Sequence, residues 1–213
     1  MSGARTPLSV GAGGGEAPLG PRDLDALQEM ATVGCGQGLT ALGKLLRRRM
    51  DMDVPEAWVG RSAGAIADFI GALGEDLVAV GVRLEGLLSG HLVLLLPERD
   101  AERLASALGY EVEDGGAWSA LAESAVLESG NIVGSAFVSA VARMIDARLL
   151  LSVPMLARGG GRACLDRLVD RESGRVALAT RFSTPGPEGL EGLILVMPEP
   201  RRLPALLALL AAA

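Results

Sequence analysis

Glu128 and Asn131 stand three residues apart in the stretch LAESAVLESGNIVGSAFVSAVARMIDARLLLSVP, residues 121–154. On a helix this spacing projects a carboxylate and a carboxamide from one face, with Ser124 a turn earlier. At about 100° per residue, Ser124, Glu128, Asn131, Ser135, Ser139 and Asp146 fall within about 80° of one another as a polar stripe. Val126, Val133, Phe137 and Met144 gather on the other side, widened by Leu127, Val138 and Ile145. The stripe holds no nucleophile and base: Asn does not ionise, neither Cys nor His accompanies it, and Ser124 has no group to activate it. One carboxylate without a second acidic or imidazole ligand does not make a metal site. A carboxamide has an acceptor oxygen and two donors in one plane, which suits holding a water molecule. Hydrolysis of a phosphoryl group depends largely on positioning an in-line water and on stabilising charge, so such a residue can supply much of the effect.

A polar helix face is by default solvated surface. What sets this one apart is an internal repeat: Asp25, Glu29, Thr32 and Pro55 precede Ser124, Glu128, Asn131 and Pro154, each by 99 residues. Glu and Pro are identical in the two sets, and the other two pairs are polar replacements. Later segments repeat as well, GHLVLLLPE at 90–98 being answered by GLILVMPE at 192–199.

The pattern of Asp or Ser, three residues, Glu, two residues, Asn, twenty-two residues and Pro, present twice in a chain of this length, resembles the CheC family of bacterial and archaeal chemotaxis phosphatases, relatives of CheX and FliY. The set Ser124, Glu128, Asn131 and Pro154 fits throughout. The first set departs from it at Thr32, which stands in place of Asn. The resemblance covers about residues 23–211. It implies a helix laid against a phosphorylated CheY-type receiver, whose own acidic pocket holds Mg²⁺ and whose own Asp carries the phosphoryl group. By that likeness Asn131 orients the attacking water, Glu128 pairs with the receiver's active-site Lys, and Ser124 and Pro154 support them. Asp25, Glu29, Thr32 and Pro55 are then a degenerate first site, because a Thr hydroxyl is shorter than a carboxamide and has a single donor. No metal ion or other cofactor is expected on this chain itself. The alternative is a binding module that sequesters the phosphorylated receiver, or engages the receptor deamidase CheD, without hydrolysis. Ending at residue 213 without the further C-terminal domain of switch proteins, the chain is expected to be a phosphatase rather than a flagellar switch component like FliY.

Composition sets the bounds. With 213 residues, 49% of them hydrophobic, there is material for a substantial core, built from Leu, Val, Ala, Ile and Met because only 3% are aromatic. A net charge of −6 argues against nucleic acid as partner. Cys35 and Cys164 lack metal-site spacing and read as reduced thiols, and with no secretory signal and no apolar run of about 18 residues the chain reads as cytoplasmic and without a membrane span.

Around the stripe, the expected architecture is α+β. Residues 1–21, rich in Gly, Ala and Pro, read as a disordered tail, and their GAGGG lacks the Lys and flanking elements of a phosphate loop. Residues 22–213 read as one domain of two repeats, about 22–112 and 113–213. Each repeat reads as helix, strand, strand, strand, helix. In order, a helix capped by Asp23 or Asp25 runs to about Arg49, a strand covers MDVPEAWVG to about Val59, and a turn or short helix lies near residues 65–70. Strands DLVAVGVRLEG and GHLVLLLPE and a helix over 98–109 close the first half. After a turn at 113–117, a helix over 118–147 is followed by a strand over 149–153, a loop at RGGGR (158–162), strands at 175–183 and 192–197, and a helix from Arg201. By the same resemblance, a pseudo-two-fold merges the strands of both repeats in one mainly antiparallel sheet with the two long helices alongside. His91, on the second of the paired strands, has no ligand partners and reads as structural.

Overall fold

The computed structural model describes residues 19–59, 63–110, 118–170, 176–186 and 189–212. The tail expected over 1–21 lies outside them as far as residue 18, as does the turn at 113–117. The chain runs α1 (Pro21–Leu46), β1 (Asp51–Met52), β2 (Glu56–Val59), α2 (Ala63–Gly71), β3 (Leu77–Gly86), β4 (Gly90–Pro97) and α3 (Glu98–Ala107), then α4 (Ala120–Met144), β5 (Leu149–Leu151), β6 (Met155–Gly159), α5 (Gly161–Leu168), β7 (Val176–Ser183), β8 (Glu191–Pro198), a 3-10 turn (Pro200–Arg202) and α6 (Leu203–Leu210).

The strands form one antiparallel sheet in the order β1-β7-β8-β4-β3-β5, with β2 also on β7 and β6 also on β3. Alternation along β3 shows why its sequence is apolar almost throughout. Val78, Val80, Val82 and Leu84 join the core under α1 and α4, while Leu77 and Ala79 join a second core under α2 and α5. The sheet is therefore covered on both faces.

α1 and α4 pack against each other and share the larger core. Their glycines set the distance. Gly34 leaves room for the Phe137 ring and Gly38 faces Val133, while Gly130 and Gly134 rest on Val80 and Val82 of β3, at contacts a methyl group would crowd. α4 is long and apolar enough to cross a membrane by length and composition, but more than half of that stretch is buried in this core. Its hydrophobicity is accounted for by packing.

Several expectations are corrected. α1 begins at Pro21, capped by Gly20, whose N–H donates to the Asp23 carboxylate at 2.8 Å; it ends at Leu46 rather than near Arg49. Capping a helix with Asp23 would have needed that residue outside the first turn; instead Pro21, with its fixed φ and no donor, opens it. The strand expected through Val59 is split by residues 53–55, because Pro55 has no N–H for the ladder and the flanking backbone turns aside. The expected loop RGGGR is no loop: Arg158 and Gly159 finish β6, Gly159 reverses the chain at φ 125°, and Gly161 opens α5. Each half thus runs helix, two short strands, a second-face helix, a strand hairpin and a closing helix, not helix, strand, strand, strand, helix. α4 stops at Met144, so Asp146, left-handed at φ 46°, lies beyond the helix that was expected to carry it.

Candidate functional site

Ser119 caps α4 by accepting a hydrogen bond from the Ala122 N–H at 3.1 Å, and the helix then runs 25 residues without a break. Between Glu128 and Asn131, Ser129 and Gly130 are both buried. The Ser129 hydroxyl donates to the Ala125 carbonyl at 2.8 Å, and Gly130 rests on Val80. With the sheet side of this turn so occupied, Ser124 and Glu128 are exposed and Asn131 half-buried, and Ser135 and Ser139 continue the exposed face. The Asn131 Nδ2 donates to Glu128 Oε2 at 3.4 Å. That long contact orients the carboxamide while leaving a second N–H and Oδ1 to engage water.

Pro154 lies in the bend between β5 and β6, and the sheet brings that bend alongside the same turn of α4. Three points fix the alignment. The Arg158 guanidinium lies 3.8 Å from Glu123 near the start of α4; Leu156 pairs on β3 with Val80, under Gly130; and Leu151 packs at Gly134. Residues 152–155 therefore run beside residues 130–134. The Arg158 guanidinium also stacks 4.2 Å over the Trp118 ring, holding the entry to α4 against β6.

On α1, Asp25, Glu29 and Thr32 are exposed and Pro55 is buried. Pro55 is tied directly to the helix, its carbonyl accepting from Gln28 Nε2 at 3.1 Å. The Thr32 hydroxyl donates to the Gln28 carbonyl at 2.7 Å, a bond to its own helix one turn back. Two polar groups near this face are thus engaged inside the protein: the Gln28 amide holds Pro55, and the Thr32 donor holds the backbone. The structure gives this face the carboxylate of the second set but no comparable water-holding pair.

Two residues that no chemical argument from sequence singles out stand beside these faces. Val153 is 83% exposed and Val54 79%. Each directly precedes its proline, and the Val–Pro pairs share the 99-residue spacing, which is the signal by which they could have been found.

Elsewhere, no group of three or more His, Cys, Asp and Glu side chains converges among the described residues. A recess of about 390 Å³ at the C-terminal end of α1 is lined by Leu39, Thr40, Met50 and the cations Lys44, Arg47 and Arg49, with no acidic or imidazole side chain in its wall. Cys35 and Cys164 are both free and buried; burial pushes the Cys35 thiol up to about 12, far from reactivity.

No family model matches the chain. A curated relative, "CheY-P phosphatase CheC" of Bacillus subtilis, is 31% identical over 135 residues, which make up 62% of this chain; the chain thus spans 64% of that relative's length. Among solved structures, the crystal structure of Thermotoga maritima FliY superposes with a TM-score of 0.68 at 13% identity, covering 91% of this chain and 98% of that one. The CheX–CheY–BeF₃–Mg²⁺ complex from Borrelia burgdorferi has a chain that superposes with a TM-score of 0.54 at 19% identity, covering 83% of this chain and 99% of that one. At these identities the structural likeness concerns the fold.

Proposed function

We propose that this chain is a member of the CheC, CheX and FliY family and hydrolyses the aspartyl phosphate of a CheY-type response regulator at the Glu128–Asn131 face of α4. The observation that carries the reading is the hydrogen-bonded pair itself: a carboxylate and a carboxamide side by side on the solvent face of a helix whose opposite face is rigidly packed. It is supported by the relative named a CheY-P phosphatase and by the fold shared with a CheX crystallised together with CheY.

Asn131 positions a water in line with the phosphorus, accepting a hydrogen bond from it at Oδ1. The water oxygen forms the new P–O bond as the acyl-phosphate P–O bond breaks, the receiver's Asp leaves as a carboxylate, and the proton departs with the phosphate product. Asn131 itself exchanges no proton, so its contribution is orientation. Glu128 meets the receiver's active-site Lys and fixes the Asn131 plane. The Mg²⁺ belongs to the receiver, which is the substrate, and the reaction takes place in the cytoplasm.

We read residues 22–213 as a single domain made of two copies of one unit, α1 through α3 and α4 through α6. The order helix, two short strands, helix, strand hairpin, helix in both, and the 99-residue spacing of the motif, support this. In the first copy the hydroxyl that replaces the carboxamide is committed to Gln28, so this face is weak or silent in hydrolysis.

Phosphate release from a phosphorylated CheY-type receiver with Mg²⁺ tests the assignment. Asn131→Ala is expected to lower kcat about 100-fold, the scale of losing a positioning group. Release as fast as wild type would reject Asn131 as the water-holding residue. Wild-type protein that binds the receiver without speeding release would instead identify a sequestering module, with CheD the next partner to test.

A further inference from the structure

We propose that the bend at Val153 is the apolar anchor by which the phosphorylated receiver docks beside the catalytic pair, a contact that presupposes the phosphatase reading of α4. Val153 is 83% exposed, and the neighbouring Met155 is 59% exposed. A β-branched side chain so far out of the core has no packing role in this chain. Its place is fixed by the alignment of β6 and β5 with α4, which sets residues 152–155 alongside residues 130–134. The receiver that brings its phosphoryl group to Asn131 then meets this bend beside it.

The bend is also held ready for contact. The Ser152 N–H donates to the Arg83 carbonyl at 3.0 Å, and the Arg83 N–H donates to the Ser152 hydroxyl at 2.9 Å. That hydroxyl in turn donates to the Val153 carbonyl at 2.9 Å. A backbone pinned in this way loses little freedom on binding, which raises the yield of the apolar contact. Two cations near the bend are paired within the protein, Arg158 with Glu123 and Arg83 with Asp170 at 3.2 Å, so Val153 itself meets the partner through shape and apolar area. The counterpart bend at Val54 is built alike: Asp53 N donates to the Arg181 carbonyl at 3.0 Å, and the Thr180 hydroxyl donates to the Asp53 carbonyl at 2.7 Å. Two exposed valines, each on a pinned bend and each before the motif proline, make a repeated docking element a better account than accident.

The steady-state rate of phosphate release as a function of receiver concentration separates docking from chemistry. Val153→Ser is expected to raise KM about tenfold, the effect of losing one buried Val, with the loss confined to KM, whereas Asn131→Ala lowers kcat. Val153→Ile should restore the wild-type KM. A purely structural or idle Val153 would leave KM where it was in Val153→Ser, and that result overturns the proposal while the phosphatase reading stands on the Asn131 variant. If wild type sediments as a dimer, and Val153→Ser as a monomer with wild-type KM, the anchor serves a second copy of the chain and the proposal is again overturned. Absence of any acceleration by wild type removes the phosphatase reading first, and the docking role with it.

Discussion

A single hydroxyl separates the two polar faces. Asn131 and Thr32 occupy corresponding positions in the 99-residue spacing, yet the Asn131 amide leans on Glu128 and keeps polar atoms for water, while the Thr32 hydroxyl turns back to the Gln28 carbonyl. A Thr on an exposed helix makes that bond readily because its donor lies within reach of the carbonyl four residues earlier. Thr32→Asn replaces it with a side chain long enough to reach Glu29 and solvent. The expected outcome is a gain in phosphate release of up to about twofold per chain, since two distant, independent sites add. The check is the double variant Thr32→Asn with Asn131→Ala: activity no higher than Asn131→Ala alone would mean that more than the carboxamide is missing from the α1 face. At this scale the sequence is informative where periodicity governs. Glu128 and Asn131 share a helix face because helical geometry leaves no alternative, and the structure has them in contact. It is silent on the Gln28–Pro55 bond and on the exposure of Val153, because both depend on which strand lies beside which helix.

Elements with long, regular patterns were legible, and the short helix that opens inside a run of glycines was not. α4 announces itself through apolar positions Val126, Val133 and Phe137, and the hairpin of β3 and β4 through two apolar runs around a turn. By contrast, α5 is eight residues long and begins inside a run of glycines, so the signal of buried Cys164, Leu165 and Leu168 is overwhelmed by the signal for a loop. The join between α3 and β8 was likewise invisible. Asp100, buried on α3, accepts from Arg103 Nη1 at 3.0 Å and from the Glu191 N–H at the start of β8 at 3.3 Å, and Arg103 reaches on to the Gly189 carbonyl at 3.2 Å. Asp100→Ala removes the acceptor of the part-buried Glu191 amide bond and one of the two acceptors of Arg103, and should destabilise the protein by about 2 kcal/mol, read from urea unfolding. Asp100→Asn keeps an acceptor oxygen and should lose less. Equal losses in the two variants would indicate that packing volume, not hydrogen bonding, is what Asp100 supplies.

Over the whole molecule, one buried imidazole couples stability to pH. His91 sits on β4 between Arg83 of β3 and Met197 of β8, with Nε2 3.6 Å from Asp170 and Nδ1 buried without a hydrogen-bond partner. Burial pulls its pKa below the ordinary 6.5 and Arg83 pulls the same way, outweighing the opposing Asp170 and Glu199. The unfolded chain therefore takes up a proton near pH 6.5 that the folded chain resists, so stability is complete above that pH and falls as pH drops through it. Urea unfolding at pH 7.5, 6.5 and 5.5 should show a shallower decline in His91→Gln than in wild type; parallel declines would clear His91 of the effect. The α+β class and a single antiparallel sheet were within reach of the sequence, but the exchange of strands was not: β1 and β2 lie on β7, and β5 and β6 lie on β3. That exchange governs how the chain must be made. Asp51 cannot meet its partner Ser183 until the ribosome has added nearly all of the second half, a wait on the order of ten seconds at ordinary rates of synthesis. Throughout that interval the nascent first half carries an unclosed sheet edge on β4 and an uncovered α1, so its safe passage depends on translation keeping pace and on whatever shields the emerging chain.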